Sequence, residues 1–192
     1  RERSSKEAVE SLIEKPIEVV LDPTLLLNKE DYDQIKVKSS IKQPYILVYS
    51  IEKNPELIAL ANKISVALGL PIIQRRPGQE LINQLEPFYT ADAGEFLGLL
   101  EAAEYVITNS FHGTVFSVLY ERPFVSMLHS DTGSRTADLL EELGLSSHIL
   151  YNLNDFDDFH MFRYENMEEL ARNMKDLKEI SLDFLKKSLD IV

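Results

Sequence analysis

Apolar and polar positions over residues 45–150 alternate between two spacings. Short apolar runs lie at 45–49, 71–74, 105–108 and 124–128. Between them, at 55–68, 94–103, 112–120 and 134–143, apolar residues recur every three to four positions. Short runs bounded by turn residues read as buried strands, and the wider spacing reads as helix. Their alternation predicts a Rossmann-like α/β fold, a parallel sheet flanked by helices. The punctuation agrees. Asn54 can cap a helix that begins with Pro55, and Gly69 sits where that helix should end. Leu57, Ile58, Ala61, Ile64, Ser65 and Leu68 give it one buried stripe. Ser134 and Gly144 bracket the last helix of the series.

The flanks lack this alternation. Ser4 or Ser5 can cap a helix over 6–13 that Pro16 stops. Residues 17–21 form a β-branched run ended by Asp22-Pro23, and 28–36 suggest a brief helix. Residues 36–42 are charged and Ser-containing and read as a linker, which puts the main boundary there. Beyond the sheet region, 151–160 is acidic and aromatic and reads as loop. Residues 165–189 read as a long helix with Met167, Leu170, Met174, Leu177, Phe184 and Leu185 near one face. The chain thus divides into 1–40, 41–150 and 151–192.

Charge and composition narrow the function. The net charge of −12 makes nucleic acid and anionic membranes poor partners, so an anionic ligand needs a local basic spot. With no cysteine, disulfides and thiolate chemistry are excluded. No apolar run approaches the roughly 18 residues that span a bilayer, and the charged start lacks a signal core. The chain does not begin with Met and reads as a piece of a longer protein. No dinucleotide or Walker loop, His-Glu-x-x-His, Gly-x-Ser-x-Gly or metal cluster is present, so no cofactor or metal is expected.

Ligands of open α/β sheets bind beyond the carboxyl ends of the strands. The predicted strands end at Ser50, at Arg75-Arg76, at Asn109-Ser110-Phe111-His112 and at His129-Ser130. Two arginines and two histidines therefore fall on the ligand edge of an acidic chain. The third of these turns runs through Gly113 and Thr114 into a helix, whose N-terminus suits a phosphate or carboxylate. His112 lies in that turn and can carry a proton near neutral pH. It is the candidate catalytic residue. Asn109, Ser110, Gly113, Thr114, Arg75, Arg76, His129 and Arg135 are candidate substrate contacts. Structural alternatives stand beside them. Asn109 or Ser110 can serve as a helix cap, Phe111 as packing, and the arginines as solvated surface.

The run Val-Ile-Thr-Asn-Ser-Phe-His-Gly-Thr-Val-Phe-Ser-Val-Leu-Tyr-Glu-Arg-Pro-Phe at 106–124 resembles the signature of the polysaccharide pyruvyl transferase family. Arg-Glu-Arg-Ser at 1–4, Leu-Asp-Pro-Thr-Leu-Leu-Leu at 21–27, Tyr-Ile-Leu-Val-Tyr-Ser at 45–50 and Ser-Arg-Thr-Ala-Asp-Leu-Leu-Glu-Glu-Leu-Gly-Leu at 134–145 agree in order and spacing. The resemblance implies the C-terminal half of a GT-B-like architecture, with 1–40 as the end of an N-terminal domain and the crossover. The rest of that domain would be missing, and the final helix would pack back toward it. It also implies a cytoplasmic bacterial enzyme of exopolysaccharide synthesis. Such enzymes transfer a pyruvyl group from phosphoenolpyruvate to a saccharide acceptor, and a half-enzyme would be inactive alone. His112 matches the family histidine and Arg135 a position often basic. Ser110 stands where many members carry Arg, which leaves that role to Arg75 or Arg76. Two other readings therefore stay open: a GT-B-like glycosyltransferase with a nucleotide-linked donor, and a non-catalytic phospho-sugar-binding module.

Overall fold

The structure is a computed structural model that describes residues 3–13, 17–74, 81–85 and 91–189. Five parallel strands form one sheet. These are β1 (Ile46–Tyr49), β2 (Ile72–Gln74), β3 (Tyr105–Thr108), β4 (Phe124–Met127) and β5 (Ile149–Leu150), in the order β2-β1-β3-β4-β5. In register, Ile46 lies opposite Ile72 and Tyr105, and Val106 opposite Phe124. The chain reverses direction across the sheet between β1 and β3, so the loops after these strands meet at one carboxyl edge.

Helices α3 (Pro55–Leu68), α4 (Ala93–Ala102), α5 (Phe111–Leu119) and α6 (Ser134–Glu142) cover the sheet. Alternate strand residues divide the core in two. Leu47, Val106 and Phe124 join Leu100, Val115 and Leu140 on one face. Ile46, Val48, Ile107 and Val125 join Leu57, Leu60 and Ile64 on the other. The caps of α3 form as the sequence predicts: the Asn54 side chain accepts from the Leu57 N–H, Pro55 opens α3, and Gly69 closes it in the left-handed conformation (φ 65°), whereas the N-cap of α6 is Gly133 and Ser134 is its first helical residue. The two-residue β5 is not legible as a separate run, because the apolar spacing around it continues from α6.

Upstream lie α1 (Arg3–Glu10), a 3₁₀ turn (Pro23–Leu25) and α2 (Lys29–Asp33). Residues 17–21 form no strand. Leu21 and Leu25 are instead buried in the same core as Val106 and Leu140. The segment expected to be a linker is packed down: the Val37 N–H donates to the Gly94 carbonyl on α4 (3.0 Å). The final helix, α7 (Met167–Ser188), also lies on this body. Leu170 is buried, and Met174 and Leu177 pack against the core that holds Leu21 and Leu139. That half of its apolar stripe does not await another domain. Met167, Ile180, Leu182, Phe184, Leu185 and Leu189 remain exposed. Among the described residues, no helix is long and apolar enough to cross a membrane.

Candidate functional site

The turn from β3 into α5 is held from both sides. The Thr108 hydroxyl donates to the Tyr49 carbonyl (2.6 Å) and accepts from the Ser110 N–H (3.0 Å). Ser110 caps α5. Its hydroxyl accepts from the Gly113 N–H (3.3 Å) and its carbonyl from the Thr114 N–H (3.0 Å). Gly113 is required by close approach: a Cβ there would sit 2.3 Å from Thr108 Oγ1 and 2.9 Å from Tyr49 Cδ1. Helix geometry leaves the first amides of α5 without intrahelical acceptors, and His112 is the second residue of that turn.

Asn109 has a different task from Ser110. Its Oδ1 accepts from the Ile51 N–H (2.9 Å) and its Nδ2 donates to the Glu52 carbonyl (3.3 Å), so it ties down the loop after β1. Thr114 is fully buried. Its hydroxyl bonds the Ser110 carbonyl (3.2 Å) and the Ser126 hydroxyl on β4 (3.0 Å), which commits it to the fold. His129 joins a second cluster over the end of β3. Its Nδ1 accepts from the Asp131 N–H (3.1 Å), and Nε2 lies 3.6 Å from Glu52 Oε2. The same carboxylate takes the Ser130 N–H and hydroxyl, both at 2.9 Å. Arg75 and Arg76 lie outside the described residues.

Arg135, the second residue of α6, stacks on Phe111 with its guanidinium carbon 4.5 Å from the ring centre. Its Nε is buried with no hydrogen-bond partner. The His112 ring meets the same Phe111 edge-on, with centroids 5.5 Å apart. On its other side, His112 Nε2 lies 3.9 Å from Oδ1 of Asp22. The imidazole is half exposed (48%), whereas the carboxylate is nearly sealed (3%). Asp22, Phe111, Arg135, Glu142 and Ser181 line one open cleft between the 19–22 segment, α5, α6 and α7.

The structure thus brings His112, Phe111 and Arg135 together and places His129 in a separate cluster. Asp22, Glu52 and Ser181 were not singled out from the sequence. Asp22 carried a signal only as part of the Leu-Asp-Pro-Thr run; Glu52 and Ser181 carried none. Among the described residues, no group of three or more His, Asp or Glu side chains is placed to hold a metal ion.

A family model for polysaccharide pyruvyl transferase matches residues 1–131, which contain the β3–α5 turn, His112 and Asp22. The chain belongs to this family. No curated protein matches it in sequence. Among solved structures, an O-GlcNAc transferase variant from Thermobaculum terrenum is similar at 16% identity and a TM-score of 0.45, over 77% of this chain and 33% of that one. The glycosyltransferase SnogD from Streptomyces nogalater is similar at 12% identity and a TM-score of 0.43, over 95% of this chain and 60% of that one. The chain therefore spans a third of one neighbour and three-fifths of the other.

Proposed function

We propose that this chain is the donor-binding part of a cytoplasmic, polysaccharide-modifying transferase that moves a pyruvyl group from phosphoenolpyruvate to a sugar of a surface polysaccharide. The observation that carries the reading is the placement of His112. A half-exposed imidazole stands at a capped helix N-terminus, edge-on to the same Phe111 ring on which the Arg135 guanidinium stacks.

The chemistry uses these groups. Ketal formation joins two sugar hydroxyl oxygens to the carbon of the donor that bears the enol phosphate. The terminal enol carbon takes a proton, the first hydroxyl oxygen bonds to the adjacent carbon, and the second hydroxyl displaces phosphate. The two hydroxyl protons balance the proton gained by carbon and the one carried away on phosphate. An acid is needed at the carbon and positive charge at the departing phosphate. In this reading protonated His112 is the acid. The first amides of α5 and Arg135 receive the anion. Ser110 is uncharged and caps α5, so in this reading the positive charge comes from Arg135.

Binding is tested by NMR on the 192-residue chain with phosphoenolpyruvate, UDP and CMP. Shifts at Phe111–Gly113 with phosphoenolpyruvate alone support the reading, and shifts with a nucleotide alone move it to a nucleotide-linked donor. In the full-length enzyme, His112→Ala should lower kcat by about 10²-fold or more, the loss expected for a general acid. His112→Gln keeps a hydrogen-bond donor without a transferable proton. Recovery of most activity in Gln would assign phosphate positioning rather than protonation. Wild-type rates in both variants, with the fold intact, would remove His112 from the site.

A further inference from the structure

We infer that Asp22 is the positioning residue for His112: its buried carboxylate holds the imidazole with Nε2 turned toward it and leaves Nδ1 on the side of the ring away from Asp22. The inference rests on the donor-site reading for what Nδ1 addresses, but not for the orientation itself.

The carboxylate is fixed before any ligand arrives. Its Oδ1 accepts from both the Thr24 N–H (3.1 Å) and the Thr24 hydroxyl (2.7 Å). The residue before it is anchored on α7, where the Leu21 N–H donates to Ser181 Oγ (2.9 Å). The residue after it, Pro23, opens the 3₁₀ turn with a locked φ. Two residues on, the Thr24 carbonyl accepts from the Tyr32 hydroxyl (2.8 Å). Three elements that meet only in the folded chain therefore aim one buried carboxylate at the α5 N-terminus.

His112 is the mobile partner. Among the described residues, its ring contacts are the edge-on Phe111 and Asp22. A neutral imidazole carries its proton on one nitrogen and a lone pair on the other. A lone pair facing a buried negative charge at 3.9 Å is repelled, and an N–H there is attracted. The distance is too long for a direct hydrogen bond, so the selection acts through charge. It favours the Nε2–H tautomer.

The test is side-chain ¹H–¹⁵N NMR of the 192-residue chain above the pH at which histidines titrate. Neutral His112 is expected as the Nε2–H tautomer. Asp22→Asn keeps an acceptor for Thr24 and removes the charge, and is expected to give a mixture of tautomers. Finding wild-type His112 as Nδ1–H overturns the inference, and that measurement stands even if the variant does not fold. An Asp22→Asn variant with an unshifted Thr24 amide and wild-type ring signals also overturns it. Phosphoenolpyruvate is then added to the wild type. A shift of Nδ1 supports both readings. No shift, with the tautomers as expected, defeats the donor reading and leaves Asp22 as the residue that orients the ring.

Discussion

His148 shows what burial does to an imidazole that has no ligand to serve. It is fully buried, stacks on Phe124 with centroids 4.4 Å apart, and donates Nδ1–H to the Phe124 carbonyl (2.9 Å). Desolvation holds its pKa below the ordinary 6.5, against opposing pulls from backbone carbonyls and Glu165. The folded chain therefore resists a proton that the unfolded chain accepts. Stability from this group is complete above about pH 6.5 and is lost as pH falls toward the depressed folded value. Thermal melts from about pH 8 to about pH 5 should show a shallower acid-side drop in His148→Gln than in wild type, even if the variant starts less stable. Parallel curves would show that His148 does not couple to pH. The sequence did not mark this histidine, because a core position reads only as part of an apolar run. The same limit applied at the site. The run at 109–112 located the turn and His112, but not which of Asn109 and Ser110 caps α5. That choice depends on the loop after β1, which takes both polar atoms of the Asn109 amide.

Segment 37–39 lies across α4 so closely that α4 has no room for a side chain at Gly98. A Cβ there would come within 1.8 Å of the Val37 carbonyl oxygen and 3.1 Å of the Ser39 N–H nitrogen. Helix propensity alone would make Gly98→Ala stabilising by about 1 kcal/mol. Overpacking against backbone costs about 1–3 kcal/mol, and a clash this short belongs at the upper end. A net loss is expected, read as a lower urea midpoint with an unchanged slope; a gain would show that the segment does not sit on α4. Polar contacts hold the same seam. Lys36 lies 2.6 Å from both Asp33 and Glu101, and the Tyr120 hydroxyl donates to Asp33 (3.1 Å). Burial, and then the Asp33 bond, push the Tyr120 phenol upward. The strands and helices of 45–143 were legible because apolar period and caps agree there. The packing of 17–42 was not. A charged, Ser-containing stretch has the composition of a linker, and only the two glycines of α4 that receive it hint otherwise.

At the scale of the whole molecule, the cleft is built from the chain's two ends and its middle: the 19–22 segment, the α5 and α6 N-termini, and α7. Donor recognition should therefore need the entire 192-residue chain. Turnover needs more. The proposed reaction requires two sugar hydroxyls beside the donor carbon, held in line with the bond to phosphate, and positioning of this kind supplies a large share of a rate enhancement. His112 is half exposed next to Phe111 and Asp22, which line the cleft, and the net charge of −12 repels a free anionic donor beyond the reach of Arg135. A second wall that closes over His112 would exclude water and hold the acceptor. The exposed apolar residues at 180, 182, 184 and 185 of α7, with Leu189 just after it, offer a surface next to which such a wall can pack. The isolated chain is expected to bind phosphoenolpyruvate weakly and to release no phosphate from it when mixed sugar acceptors are added. Release should appear only when the acceptor-binding part of the enzyme is present. Phosphate release by the 192-residue chain alone, abolished by His112→Ala, would show that the open cleft already holds both substrates and that no second wall is required.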